Sequence, residues 1–127
     1  MAEPYLGQLS DLVEALGFGE LPGIDLECRH FFGGAALYAD GKICASLTPV
    51  GLAVKLPLAV REVMLADGRG RPLRYFDGGK VKKEYVLLPE GSAADPSALG
   101  ELFLTSFRYV VRRSSIKGSW ASRPRTD

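Results

Sequence analysis

The sequence has little of the side-chain chemistry that enzyme sites and metal sites most often use. Its 127 residues include one histidine, two cysteines and no asparagine. Two cysteines are too few for the disulfide framework of a small secreted domain. No apolar run approaches the length of a membrane-spanning helix, and the acidic N-terminal region lacks the basic and then apolar pattern of a signal segment. The sequence therefore predicts a reduced, cytoplasmic protein that does not associate with a membrane.

Motifs of nucleotide-binding and hydrolytic enzymes are missing as well. Gly41-Lys42 and Gly79-Lys80 are each followed by an apolar residue, where a phosphate-binding loop needs Ser or Thr. The sequence contains neither a Gly-x-Ser-x-Gly elbow nor a His-Glu-x-x-His motif. We therefore predict that the protein is not an enzyme, with no catalytic residues and no cofactor.

The single histidine, His30, stands two residues after Cys28 in an alternating run. Together with Cys44 these residues would supply three ligands for a metal, or a Cys–His nucleophile pair. The alternation assigns Cys28 and His30 to the core-facing side of a strand. We therefore interpret His30 as buried and both cysteines as small buried hydrophobes, and predict no metal site, with a metal ion as the alternative.

Charge is nearly balanced overall but unevenly distributed along the chain. The net charge of +1 argues against a bulk electrostatic attraction to nucleic acid or to a membrane surface. Basic residues nevertheless gather between Arg69 and Lys83, interleaved with Tyr75 and Phe76. This pattern suits single-stranded nucleic acid or an acidic protein, although we favour a solvated hairpin whose aromatic residues face the core. The candidate partner-binding residues are Arg69, Arg71, Arg74, Lys80, Lys82 and Lys83.

Hydrophobic periodicity indicates three helices and six strands. Apolar residues recur at helical spacing in the first and last helices, and Pro57 and Pro96 are typical of a first helical turn. Asp40-Gly41 is a hairpin signal because both residues tolerate a positive φ. The predicted order is helix 4–18, strands 24–30, 35–39, 42–48 and 52–56, helix 57–65, strands 71–76 and 84–88, and a helix opening at 95–96.

These elements predict a two-layer α+β domain, with an antiparallel sheet and helices on one face, in the order α-β-β-β-β-α-β-β-α. The domain is expected over residues 1–113. Residues 114–127 are polar, basic and rich in turn formers, with Ile116 and Trp120 as the only large apolar side chains. We expect this basic tail to be disordered because it cannot bury enough apolar surface to offset its ordering entropy.

The run from Arg29 to Gly34, followed by the hairpin and by Tyr85 to Pro89, resembles the signature of TfoX N-terminal-like domains over about residues 6–112. The residues that carry the resemblance are Arg29, Phe32, Gly33, Gly34, Tyr38, Gly41, Lys42, Tyr85 and Pro89. Phe31 departs from the family pattern, where Met is usual. The glycine pair is expected where the chain bends between strands, with a positive φ or a close backbone approach.

The resemblance implies a bacterial cytoplasmic domain related to regulators of competence and transcription. The leading interpretation is therefore a non-catalytic protein-interaction or regulatory adaptor with an unknown protein partner, and a homodimer is an open alternative. The second interpretation is a nucleic-acid-associated accessory factor that uses the basic hairpin 69–83 and the basic end 108–125.

Overall fold

The computed structural model of the chain describes residues 3–19, 23–31, 33–74 and 80–119. Within them lie three α-helices, six β-strands and one 3-10 turn at Ser92–Ala94. The helices are α1 (Glu3–Ala15), α2 (Leu58–Ala66) and α3 (Pro96–Ser119). The strands are β1 (Leu26–Phe31), β2 (Gly34–Ala39), β3 (Lys42–Thr48), β4 (Gly51–Lys55), β5 (Arg71–Leu73) and β6 (Lys82–Leu87).

All six strands form one antiparallel sheet in the order β1-β2-β3-β4-β6-β5. The helices pack on one face of it, with α1 over β1 and β2, α3 over β3 and β4, and α2 over β6 and β5. This arrangement confirms the α+β fold class and the predicted order of elements. Short hairpin connections explain the antiparallel pairing from β1 to β4, because parallel strands need a long crossover.

The core lies between the helices and this face of the sheet. Phe18 has its ring edge-on to Phe107, with centroids 5.3 Å apart, and stacks on Phe103 at 6.4 Å. Each of the two α3 rings is fully buried. Apolar side chains from four strands complete this layer, namely Leu37, Cys44, Val54 and Val86.

The opposite face of the sheet is buried at its centre. Ala36, Ser46 and Ala53 stand side by side in register on β2, β3 and β4, and none of the three is exposed. A solvated face is found instead at the edge, where Glu27 and Arg29 of β1 are exposed. The alternation of apolar and polar residues, which predicts one solvent-exposed face, therefore describes β1 but not the central strands.

Two turns follow directly from local sequence. Asp40 and Gly41 have φ values of 51° and 81°, as the hairpin signal predicts, and the Asp40 carboxylate accepts a hydrogen bond of 2.8 Å from the Asp25 amide. Gly33 has a φ of 76°. A Cβ on Gly34 would lie 2.3 Å from the Leu47 carbonyl oxygen. Both glycines therefore occupy the kind of position that the sequence predicts for them.

A β-bulge interrupts the pairing of β2 with β3. Leu37 stands opposite Ala45 and Tyr38 opposite Ile43, so Cys44 has no residue opposite it. The Cys44 thiol donates to the Leu37 carbonyl at 3.3 Å, and the Cys44 carbonyl accepts a bond of 3.0 Å from the Ser106 hydroxyl on α3. The bulge is thus stabilised from both sides.

Several boundaries differ from the sequence-based expectation. Helix α3 continues to Ser119, beyond Arg113, the expected end of the domain. The other predicted tail residues, with Trp120, lie outside the described residues. Strand β5 has three residues only. Phe32, Tyr75 and Phe76 also lie outside the described part of the chain.

Candidate functional site

Helix α2 presents an apolar surface outward. The positions of Leu58, Glu62 and Leu65 follow helical spacing, as do those of Ala59, Val63 and Ala66 beside them, and all six are exposed. The exposed fractions are 58% for Leu58, 55% for Val63 and 40% for Leu65. Only Met64 on this helix is fully buried. We call the outward set the α2 surface; its single charged member is Glu62.

Arg61 fixes the position of α2 on the sheet. Its Nε donates a bond of 2.8 Å to the Leu56 carbonyl, and its Nη1 donates to the carbonyl of Lys83 on β6. At the other end of the helix the Gly70 amide donates to the Met64 carbonyl at 3.3 Å. The helix therefore runs along β6 from Lys83 toward the loop that leads into β5.

The six candidate partner-binding residues are all exposed, but the structure does not gather them into one patch. Register places Arg71 at one end of the β5–β6 pair and Lys82 at the other. Arg69 and Arg71 consequently lie near the C-terminal end of α2, and Lys83 lies near its N-terminal end. The α2 surface is therefore bordered by basic residues at both ends.

Asp67 and Arg69 close α2 with a local ion pair. Arg69 donates from its amide to one Asp67 carboxylate oxygen at 3.1 Å and from its Nε to the other at 2.8 Å. The amide bond, followed by the guanidinium, holds the pKa of Asp67 below its usual value. Both side chains are exposed, so the pair contributes little to stability and leaves the guanidinium accessible to a partner.

The two signature tyrosines each carry a cation above the ring. The Arg29 guanidinium lies 4.6 Å from the ring centre of Tyr38, and Lys55 Nζ lies 5.7 Å from that of Tyr85. Lys55 also approaches the Glu84 carboxylate at 3.9 Å. These contacts link neighbouring strands. Arg29, Tyr38 and Tyr85 therefore each take part in a contact between two strands of the sheet.

Two clefts meet at Pro89, the last signature residue. One has a volume of about 360 Å³ and is lined mainly by apolar side chains of α2 and α3, with Arg69, Asp95 and Glu101 among its polar residues. The other, about 550 Å³, lies between α1 and the end of β6 and includes Arg71. Ser92 lines both clefts, and its hydroxyl donates a hydrogen bond of 2.7 Å to the Pro89 carbonyl.

The two cysteines and the histidine differ in burial. Cys44 is fully buried, and burial raises the pKa of its thiol to about 12. Cys28 is half-buried, so the expectation of a buried residue is met only in part. Among the described residues, no three His, Cys, Asp or Glu side chains are placed to hold a metal ion.

The expectation that His30 is buried is wrong. Its side chain is exposed, whereas Leu26 and Cys28, its neighbours on the same side of β1, pack against the core. The reason is its position, near the end of an edge strand. Alternation predicts which side of a strand a residue faces, but not how far the helical layer extends along it.

The sequence matches the TfoX N-terminal domain over residues 21–109. The chain belongs to the TfoX N-terminal domain family. The match begins after α1 and includes the glycine pair, the hairpin, α2 and most of α3, a slightly shorter range than the resemblance suggested. No curated protein matches the chain significantly. None of the described helices of this TfoX N-terminal domain is both long enough and apolar enough to cross a membrane.

The α2 surface is the part of the candidate site that the sequence analysis missed. The sequence predicts a helix over 57–65 but did not lead us to expect outward-facing apolar residues on it, yet Val63 and Leu65 face outward. The sequence does contain a signal that could have indicated this surface. With Leu58 included, the apolar positions of this nine-residue helix extend around more of its circumference than one buried stripe needs.

Proposed function

We propose that this domain is a non-catalytic adaptor of the bacterial cytoplasm that binds a protein partner through the α2 surface. The observation that carries the proposal is the concentration of exposed apolar side chains on one short helix. Single exposed apolar residues are ordinary, but contiguous ones mark interaction sites. A regulatory role related to competence is consistent with membership of the family.

Leu58, Val63 and Leu65 are the exposed large apolar side chains of this helix that a partner would bury. Burying one such side chain completely contributes about 1.5–3 kcal/mol, so a partner that covers all three gains substantial affinity before any polar contact forms. Arg61 holds the helix on β6 through two carbonyl groups. A pre-positioned helix lowers the entropy that is lost on binding.

Charge indicates the chemistry of the partner. Arg69 lies near one end of the α2 surface, and Lys82 and Lys83 lie near the other, while Glu62 is the only acidic residue on it. A segment with apolar anchors flanked by acidic residues fits this distribution. Such complementarity increases the association rate and selects among partners.

A nucleic-acid-associated role is the second candidate, and one observation favours it. All six basic residues from Arg69 to Lys83 are exposed and so are accessible to phosphate groups. These residues form two groups at opposite ends of the β5–β6 pair. This separation weakens the alternative, because one nucleic-acid strand would have to reach both groups to contact all six residues.

The test is capture of a partner by the full chain from a nuclease-treated extract of the source bacterium. We expect the Leu58→Ser/Leu65→Ser variant to lose a polypeptide that wild type retains at high salt, and Lys82→Glu/Lys83→Glu to weaken that retention only partly. Binding that requires intact nucleic acid, falls steeply with salt and is insensitive to the α2 substitutions would favour the second candidate instead.

A further inference from the structure

The two edges of the sheet are built differently. The edge at β5 is three residues long and contains Pro72, which lacks an amide hydrogen and so cannot extend a ladder. The edge at β1 has six residues, Leu26–Phe31, and no proline. Natural proteins commonly block an exposed edge by shortening it or by placing proline or lysine there. β1 is not short and contains no proline or lysine, and its two charged residues, Glu27 and Arg29, are of opposite sign.

The outward-facing backbone groups of β1 can be identified from its pairing with β2. The Asp40 amide donates to the Asp25 carbonyl, which makes Asp25 and Asp40 a hydrogen-bonded pair. Since such pairs alternate along an antiparallel ladder, Glu27 and Arg29 also bond to β2. The amide and carbonyl groups of Leu26, Cys28 and His30 therefore point away from the sheet.

We propose that β1 pairs with β1 of a second copy of this chain, antiparallel and across a two-fold axis through Cys28. In this register Leu26 and His30 of one copy stand opposite His30 and Leu26 of the other, and the two Cys28 residues face each other. Each of these pairs exchanges backbone hydrogen bonds. The two sheets then form one continuous sheet. The proposal is independent of the α2 surface.

The charges of Glu27 and Arg29 favour this pairing register over the registers that are shifted by one residue. With the axis at Cys28, Glu27 of each copy stands opposite Arg29 of the other in a non-hydrogen-bonded pair, where side chains approach most closely. Moving the axis by one residue sets Glu27 against Glu27 or Arg29 against Arg29. Within one chain these two side chains already approach to 3.0 Å while remaining about half exposed. The second copy would therefore complete a four-charge network.

The helix above β1 leaves room for the second copy. Helix α1 packs on β1, with Ser10 of α1 beside Cys28. At Gly7, one turn earlier, the described residues place nothing but the adjacent backbone of α1 within 4 Å of the position of a Cβ. Small side chains near the axis allow the two α1 helices to approach each other.

The test is analytical ultracentrifugation of the full chain with charge-reversed variants. Wild type is expected to show a concentration-dependent dimer. Glu27→Arg or Arg29→Glu alone should raise its dissociation constant about tenfold or more, because each sets like charges opposite one another. The double variant should restore the dimer, and an equimolar mixture of the two single variants should form a heterodimer. Because both side chains are exposed, folding is expected to persist, which the melting temperature checks.

Matched controls separate this surface from others. Arg108→Glu reverses an exposed charge on α3, and Leu58→Ser/Leu65→Ser alters the α2 surface. Neither change should affect the dissociation constant. The proposal is overturned by a wild-type chain that stays monomeric at about 1 mM, or by a dimer that is insensitive to reversal at residues 27 and 29. Addition of an unrelated extended peptide to β1 of a monomeric chain would also contradict it.

Discussion

The Ser106 hydroxyl donates a hydrogen bond of 3.0 Å to the carbonyl of Cys44, the bulged residue of β3. Both residues are buried. A bulge leaves one residue outside the ladder, and its polar backbone groups need other partners. The longest helix of the described chain supplies one of those partners and so is joined to the sheet by a specific polar contact as well as by apolar packing.

Ser106→Ala should lower the free energy of unfolding by about 1–3 kcal/mol, because the buried Cys44 carbonyl loses this donor. The matched control is Thr105→Ala. The Thr105 hydroxyl bonds to the Glu101 carbonyl of its own helix near the surface, so a change within about 0.5 kcal/mol is expected. Urea titration measures both. Equal effects from the two variants would show that the contact with the bulge has no particular role.

Gly34→Ala should destabilise the domain by about 2 kcal/mol or more, since the new Cβ would overlap the backbone of β3 at Leu47 and Thr48. Gly100→Ala is the control. Gly100 lies inside α3 with open space around its Cβ position, so alanine should stabilise the helix by up to about 1 kcal/mol. Thermal denaturation of the two variants should therefore give shifts of opposite sign.

The two cysteines should differ in reactivity. At about pH 8 a thiol reagent should modify Cys28 in the native protein and Cys44 only after unfolding, because Cys44 is fully buried and burial raises its pKa from 9.0 to about 12. The Cys28→Ser variant should then show no fast reaction. The shift also lowers stability as pH rises from 9.0 to about 12, since only the unfolded thiol releases its proton in that window. Fast labelling of Cys44 would contradict its placement.

Arg61→Ala should reduce stability by about 1–3 kcal/mol, because two carbonyl groups lose a charged donor. Arg61→Lys should retain only part of the stability that Arg61→Ala loses, since an ammonium group cannot reproduce the geometry of the guanidinium. Glu62→Ala, on the exposed side of the same helix, should have almost no effect. Hydrogen exchange in α2 provides the measurement; an unchanged exchange rate in Arg61→Ala would show that Arg61 does not position the helix.

Local signals were sufficient for most of the fold. Asp40-Gly41 and the glycine pair each specify a backbone conformation by themselves, and periodicity locates α1 and α3. The predictions that failed concern side-chain exposure, which depends on how the helices and strands pack against one another. His30 is exposed because it lies near the end of an edge strand, and Val63 and Leu65 face outward because only one side of α2 meets the sheet. The bulge at Cys44 depends on Ser106, 62 residues later in the chain, which no local pattern reveals.

Site-specific photo-crosslinking tests the α2 surface as a protein-binding site most directly. A photoreactive benzoylphenylalanine replaces Leu65 in one form of the full chain and Arg108, an exposed α3 residue, in another. In cells of the source organism, we expect one partner polypeptide to be crosslinked from position 65 and not from position 108, whether or not the lysate is then treated with nuclease. Equal crosslinking from both positions, crosslinking to nucleic acid alone, or a product that contains only a second copy of this chain would contradict it.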